Sequence, residues 1–429
     1  MYQVEASKAL LKPSLWARHS ARIRVPRNVV LLGLVSLLTD VSSEMVATIL
    51  PLYLVFSLGA SPLVLGAIDG TYRGAAALVQ VASGLFSDRW QRHKETAGVG
   101  YGLSAICKVG LVAFGNSIGA IGAIVAVDRV GKGIRTAPRD ALISLSSTKA
   151  GLATSFGVHR AMDSAGAMLG PLVAFGILLA APARFDAVFV VGTLFAFLGL
   201  AVLVLTVQGK PRRATPVAPQ PTPEEESAKR PSLRSAASLL RDRRFAPMLL
   251  AVGALALASV SDSLIYVGLQ RRIDFEPAVF PLLFVITAVA FMALAIPAGR
   301  LADRVGRVPV LIGGHVLLFL VYGALMLPSL GYTELIVCLL ALGAYFAATD
   351  GVTTAIAGAL LPDELQASGI GILITVVSIG RLLSSLAFGA LWFAIGLQQA
   401  LVVFVALLAL AILLATPLLL RAQREPLSE

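Results

Sequence analysis

Residues 84–94 read GLFSDRWQRHK and residues 299–307 read GRLADRVGR. Each follows a long apolar run, and each carries the spacing G-x-x-x-D-R: Gly84, Asp88 and Arg89 in the first, Gly299, Asp303 and Arg304 in the second. The same charged punctuation, placed after the second and the eighth apolar runs, divides the chain into two comparable halves. Such internal repetition is the sequence mark of a membrane transporter built from two repeats with a site near the bilayer midplane.

Composition supports a membrane protein. Of 429 residues, 57% are hydrophobic and only 14% are charged, and the mean hydropathy is +0.85, far from the balance of a soluble domain. At about 20 apolar residues per crossing, spans are expected near 29–57, 62–86, 96–115, 118–140, 152–180 and 184–208. Six more are expected near 246–270, 278–299, 309–329, 334–359, 369–391 and 397–420. The expected architecture is an all-α membrane protein with 12 transmembrane helices in two pseudo-symmetric six-helix bundles, residues 28–208 and 245–421. Residues 209–244, rich in Pro, Ser and charge, cannot bury apolar area and read as a linker ending in a short surface helix. Residues 1–27 form a basic tail and residues 422–429 a short terminal one. The first apolar run is too long for a signal-peptide core.

The net charge of +11 raises the question of nucleic acid, but its placement answers it. Basic residues gather in the N-terminal tail, the 88–94 loop, the linker and the 300–307 loop, all on one side if the helices alternate. Both termini and the linker are therefore expected in the cytoplasm, in a multi-pass protein of the cell (inner or plasma) membrane; Arg271 and Arg272 are the exception. Cys107 and Cys338 lie far apart in apolar runs and suggest neither a disulfide nor a metal site. No Walker loop, nucleophile elbow or clustered ligand set is present, so neither an enzyme nor an ATP-driven pump is expected, and no cofactor or metal. The expected partners are a small-molecule substrate, protons and the lipid bilayer, with the protein a monomer.

The double loop motif resembles that of the major facilitator superfamily, G-x-x-x-D-R-x-G-R-[RK], met by Gly299, Asp303, Arg304, Gly306 and Arg307; in the first copy Gln91 replaces the second glycine. The resemblance extends over all twelve spans. It implies a conformational latch in which each Asp and Arg pair with a neighbouring helix; simple positive-inside anchoring is the plainer alternative. In the fourth span, Arg129 and Gly133 resemble the family's R-x-x-Q-G pattern with Lys132 in place of the glutamine. Asp128, Lys132, Arg135 and Arg139 share one helical stripe. In the fifth span, Gly157, Gly166 and Gly170-Pro171 resemble the motif of the family's 12-helix proton-linked drug exporters, although Ala174-Phe175 stands where a Gly-Gly is typical. This face is expected to let the helix pack and bend at the interface between the halves.

Intramembrane ionisable residues are functional candidates by default. Asp40 and Glu44 lie one turn apart on the first span, and two neighbouring carboxylates in a low-dielectric site cannot both ionise cheaply, so they can share a proton. Arg129 is expected at similar depth, tuning release or simply tying the helices through a bond to Asp40; His159 and Asp163, also one turn apart, can pair with each other and are the second candidates for proton coupling. Asp69 and Arg73 read as a structural pair, and Lys108 and Arg160 as snorkelling or paired cations. Lys132, Arg135, Asp262, Tyr266, Tyr345 and Arg381 are expected to line the substrate cavity. The leading functional expectation is proton-coupled export, by alternating access, of a small amphipathic molecule or drug. The alternatives are uptake or exchange of an anionic metabolite, and a non-transporting sensor or scaffold of the same fold.

Overall fold

The computed structural model describes residues 25–90, 92–148, 151–209, 238–361 and 365–424; side chains at 77, 78, 80–90, 153, 367 and 424 lie outside the described set. Much of the expected N-terminal tail, linker and C-terminal tail therefore falls outside the described residues, apart from a single helical turn at Leu239–Arg241 near the linker's end.

Among the described residues the structure is helical, with no strand. In the first half the helices are α1 (Arg27–Leu52), continued by a wider turn at Tyr53–Ser57, α2 (Pro62–Trp90), α3 (His93–Phe114), α4 (Ile118–Ser146), α5 (Leu152–Ala180) and α6 (Phe185–Thr206). In the second half they are α7 (Phe245–Ala258), α8 (Asp262–Ile273), α9 (Phe280–Val305), α10 (Arg307–Leu325), α11 (Tyr332–Leu360), α12 (Gln366–Ile395) and α13 (Leu397–Arg424). Ten helical stretches, with α7 and α8 taken together, are long and apolar enough to cross a membrane. The 29-residue helices α2 and α4 are as long but more charged, because they carry the motifs that singled them out in the sequence.

The span expected at 246–270 is broken. Helix α7 stops before Ser259-Val260-Ser261 and α8 restarts with Ser261 as its N-cap, the hydroxyl accepting from Leu264 N at 3.4 Å. Breaking a helix at membrane depth exposes backbone groups that must find partners. Tyr322 of α10 provides them: its hydroxyl accepts from Val260 N at 2.6 Å and donates to Ala258 O at 3.2 Å. The Ser384 hydroxyl donates to Ser259 O at 2.8 Å. The last helix continues to Arg424, past the expected boundary at 421, because helices can extend beyond the hydrocarbon layer.

The glycines of α5 do not do what the sequence suggested. Gly166 and Gly170 face α1 of the same half, not the other half: a Cβ on Gly170 would stand 2.8 Å from both Glu44 Cβ and Val41 O, and one on Gly166 would stand 3.1 Å from Asp40 Cβ. The absence of side chains on this face therefore draws α5 against the acidic stripe of α1. Gly157 has open space around it, while Pro171 is buried.

Contact between the halves runs through α2 on α12 and α5 on α9. Gly70 packs so closely that a Cβ would lie 2.8 Å from Leu382 O. Across the same seam Arg73 pairs with Asp262, and Ser385 donates to Asp69 at 2.8 Å. The linker side is the side where α2 ends at Trp90 and where α9 gives way to α10 at Gly306. Among the described residues, these polar bonds lie in the half of the helices remote from it. The halves are thus joined at the opposite side.

Candidate functional site

Within the N-terminal bundle, α1, α4 and α5 bring their ionisable residues to the bundle's middle depth. At 1.5 Å per residue, Asp40, Lys132 and Asp163 each lie within about 6 Å of their helix midpoints. The tight α1–α5 seam brings the carboxyl of Asp40 close to that of Asp163, and the two act on each other electrostatically. An ionised carboxylate only accepts, so a hydrogen bond between the two needs a proton on one partner; Asp163 Oδ1 is buried and has no hydrogen-bond partner among the described residues. Arg139 Nη1 lies 3.7 Å from Asp163 Oδ1 and donates to Ser36 Oγ at 3.2 Å. His159 Nε2 is 3.0 Å from the same Ser36 hydroxyl. The expected His159–Asp163 pairing is present as an electrostatic interaction, while the hydrogen-bonding contact of His159 is with Ser36.

Lys132 acts electrostatically on both Asp40 and Glu44, and among the described residues its ammonium forms no ion pair and no hydrogen bond. Glu44 lies one turn from Asp40 and lines a small cavity of about 170 Å³ with Asp69, Tyr72, Arg73 and Asp262, where the two halves meet. Asp40 thus has two carboxyl neighbours, Glu44 one turn away on its own helix and Asp163 across the α1–α5 seam.

Arg129 lies away from Asp40. Its Nε donates to the adjacent Asp128 at 3.1 Å, its guanidinium lies 3.9 Å over the centroid of the Tyr72 ring, and Lys108 Nζ reaches the other Asp128 oxygen at 3.1 Å. All three charged residues are almost wholly buried. Unpaired charge is expensive there, and a guanidinium over an aromatic face with a carboxylate alongside is well compensated. Arg135 is also internal, donating to Ser104 at 3.0 Å over the Tyr101 ring. Neither arginine is among the residues lining the cavity where the halves meet.

In the C-terminal bundle, Tyr266 is fully buried; its hydroxyl donates to Thr287 at 2.7 Å and its ring packs edge-on against Phe284, which removes it from the expected substrate wall. Asp262 belongs to the junction of the halves through Arg73, and Arg73 also meets Asp69 at 3.2 Å. Tyr345 and Arg381 do line a cavity, of about 240 Å³, together with His315 and Asp350. Arg381 Nη2 lies 3.2 Å from Asp350 Oδ1, and both side chains remain partly exposed.

The N-terminal loop motif, Gly84, Asp88 and Arg89, has a helical backbone within α2, but its side chains lie outside the described residues. In the C-terminal copy, Gly299 has no close neighbour, Asp303 and Arg304 are exposed, and among the described residues neither side chain forms an ion pair. Arg307 donates to Ala355 O on α11 at 2.8 Å. The expected Asp303–Arg304 latch thus has no pairing among the described residues.

Sequence reasoning passed over Ser36 and Ser385. Both are small hydroxyls in apolar runs, and only the presence of a second helix makes them partners of His159, Arg139 and Asp69. Among the described residues no group of three His, Cys, Asp or Glu side chains converges as a metal site.

The chain matches the family model described as Major Facilitator Superfamily over residues 32–276 and 259–429. An uncharacterized MFS-type transporter of Methanocaldococcus jannaschii is 30% identical over 381 residues, covering 85% of this chain and 88% of the relative. An uncharacterized protein of Mycobacterium tuberculosis is 36% identical over 152 residues, 35% of this chain and 37% of the relative. Among solved structures, the nucleoside transporter NupG superposes with a TM-score of 0.75 at 14% identity, covering 91% of this chain and 100% of that one. The peptide transporter POT does so with a TM-score of 0.74 at 15% identity, covering 93% and 95%. At such identities the likeness speaks for the fold alone. With the family model covering nearly the whole chain, and with multiple membrane-spanning helices in the structure, the protein is a multi-pass membrane protein that belongs to the major facilitator superfamily.

Proposed function

We propose that the protein is a proton-coupled secondary transporter that exports a small amphipathic molecule by alternating access between its two bundles. On this reading the chain crosses the membrane twelve times, α7 and α8 counting as one crossing. The basic loops place the linker side, with both termini, in the cytoplasm of a cell (inner or plasma) membrane. The seam of α2 with α12 then closes the external side, which makes this the inward-open form.

The observation that carries the reading is the Asp40–Asp163 contact at mid-membrane depth. A carboxyl pair holds one proton readily and two negative charges poorly. Lys132, close by and without an ion-pair partner among the described residues, favours the deprotonated pair. A rocking motion that changes the distance between Lys132 and the two carboxyls would switch the pair between binding and releasing its proton. Gly166 and Gly170 hold the pair together because they let the α1 backbone approach.

The competing reading, uptake or exchange of an anionic metabolite, is favoured by Arg381, which faces an accessible cavity; of its other expected cations, Arg129 and Arg135 are consumed by internal partners, while Lys132 has no ion-pair partner among the described residues. The reading is tested in proteoliposomes under an imposed pH gradient, screened over dyes, antibiotics, amino acids and organic anions. Accumulation of a compound against its own gradient, driven by pH alone, is expected. Transport that equilibrates the compound equally with and without the gradient would overturn proton coupling.

A further inference from the structure

The cavity of the C-terminal bundle has a one-sided hydrogen-bonding capacity. It lies between α7, α10, α11 and α12, and most of its polar groups have already given their protons to the protein. The hydroxyl of Thr349 donates to Tyr345 O at 2.8 Å, that of Thr353 to Thr349 O at 2.7 Å and that of Thr354 to Asp350 O at 3.3 Å. Each is left facing the cavity as an acceptor. His315 Nδ1 is 2.8 Å from Leu311 O; a carbonyl oxygen only accepts, so Nδ1 carries the hydrogen and the Nε2 of the neutral ring is an acceptor too. The Tyr345 hydroxyl donates to Ser259 Oγ at 3.3 Å. Asp350 gives a single oxygen to Arg381 and keeps its other for a ligand. Against this set stands one charged donor, the remaining N–H groups of Arg381.

A ligand matching this wall offers several hydrogens from one group and an acceptor from another. An organic anion would meet Arg381 and then find itself among acceptors. A wholly apolar compound would leave His315 Nε2 and the second oxygen of Asp350 without partners, which is costly. An ammonium has three donors and no acceptor, and a carboxylate has the planar acceptor pair that suits a guanidinium. A molecule carrying both would exchange the internal Asp350–Arg381 bond for two of its own without changing the charge of the cavity. Its side chain would lie against Leu255, Ile374 and Val377.

We propose that this cavity is the binding site for a small zwitterion, its ammonium held by Asp350, the threonine oxygens and His315 Nε2, and its carboxylate held by Arg381. The proposal rests on reading the protein as a transporter and names the substrate class of its C-terminal wall.

Binding to the purified full-length protein in detergent, by calorimetry or thermal shift, needs no pH gradient and so stands apart from proton coupling. The twenty amino acids are measured first, and the tightest binder is compared with its N-acetyl and its carboxamide derivatives. Each derivative is expected to bind about tenfold or more weakly than the zwitterion, the loss of one charge-assisted contact. Asp350→Asn should abolish the penalty for N-acetylation while keeping that for amidation, and Arg381→Gln should do the reverse. Both side chains are partly exposed, so both variants should fold, which their elution as monodisperse species checks. If no amino acid binds, if the N-acetyl derivative binds as well as its parent, or if neither variant alters the discrimination, the proposal is wrong. Zwitterion binding without pH-driven transport would leave this site standing and remove the coupling; pH-driven transport of compounds lacking an ammonium would do the opposite.

Discussion

The two bundles share one fold and differ in what they bury. In the N-terminal bundle, Lys108, Asp128, Arg129 and Arg135 are less than a tenth exposed, and Asp40, Lys132 and Asp163 join them at similar depth. The C-terminal bundle manages its middle with hydroxyls and rings: Tyr322 on the α7–α8 break, Tyr266 on Thr287 and Tyr345 on Ser259. Its own charge pair in a cavity is Asp350 with Arg381. The difference teaches that the repeat supplies helices and hinges, while the chemistry is placed by each half separately. On the proposed reading, charge that must be moved sits in one bundle, and groups suited to holding a zwitterionic ligand sit in the other.

Substitution of buried charge should strain this comparison most. Arg129→Ala leaves Asp128 with Lys108 alone and an empty space over Tyr72; removing one partner of a buried pair typically costs about 3–5 kcal/mol. A strong fall in thermal stability and in membrane yield is expected, whereas Arg381→Ala, at a partly exposed pair, should change stability by less than about 1 kcal/mol. Equal losses in the two variants, measured by thermal unfolding in detergent, would erase the distinction between the bundles.

Gly170→Leu comes next. The added side chain has no room against Glu44 and Val41, so α5 should be forced off α1, stopping transport by separating Asp40 from Asp163 while the protein still inserts. Gly157→Leu, in open space, should leave transport near normal. Full transport by Gly170→Leu would show that the seam is not needed.

The junction between the halves should respond more gently. Asp262→Asn weakens the Arg73 bridge, and the population open at the side remote from the linker should rise by about tenfold, equivalent to about 1.4 kcal/mol. Engineered cysteines near residues 62–66 and 385–389 would report it by faster labelling. Unchanged labelling would reduce the bridge to packing.

Much of this organisation was legible in the sequence. Apolar run length and the doubled G-x-x-x-D-R gave the helix order, because hydrophobic thickness constrains length and nothing else fits. The α7–α8 break was hidden, since Ser259-Val260-Ser261 is barely less apolar than its surroundings and its cause, Tyr322, is about sixty residues away. Partners across helices were the weakest inference. The i, i+4 rule put Asp40 with Glu44 and His159 with Asp163, both geometrically sound along one helix. The structure adds Asp163 beside Asp40 and Ser36 beside His159, because Gly166 and Gly170 bring two helices closer than side chains normally allow. Arg129 acts on Glu44, but its hydrogen bonds go to its neighbour Asp128, a partner that the i, i+4 rule does not consider. Those glycines were noticed, but a small-residue face does not say which helix it meets.

The central claim is that Asp40 and Asp163 share the transported proton, and one measurement tests it most directly: substrate accumulation and substrate exchange, side by side in proteoliposomes, for the parent protein, Asp40→Asn, Asp163→Asn and Glu44→Gln. Asp40→Asn and Asp163→Asn are each predicted to lose pH-driven accumulation while keeping downhill exchange, with Glu44→Gln milder. If the Asp40→Asn and Asp163→Asn double variant still concentrated substrate under a pH gradient alone, the proton would be carried elsewhere and the account would be contradicted.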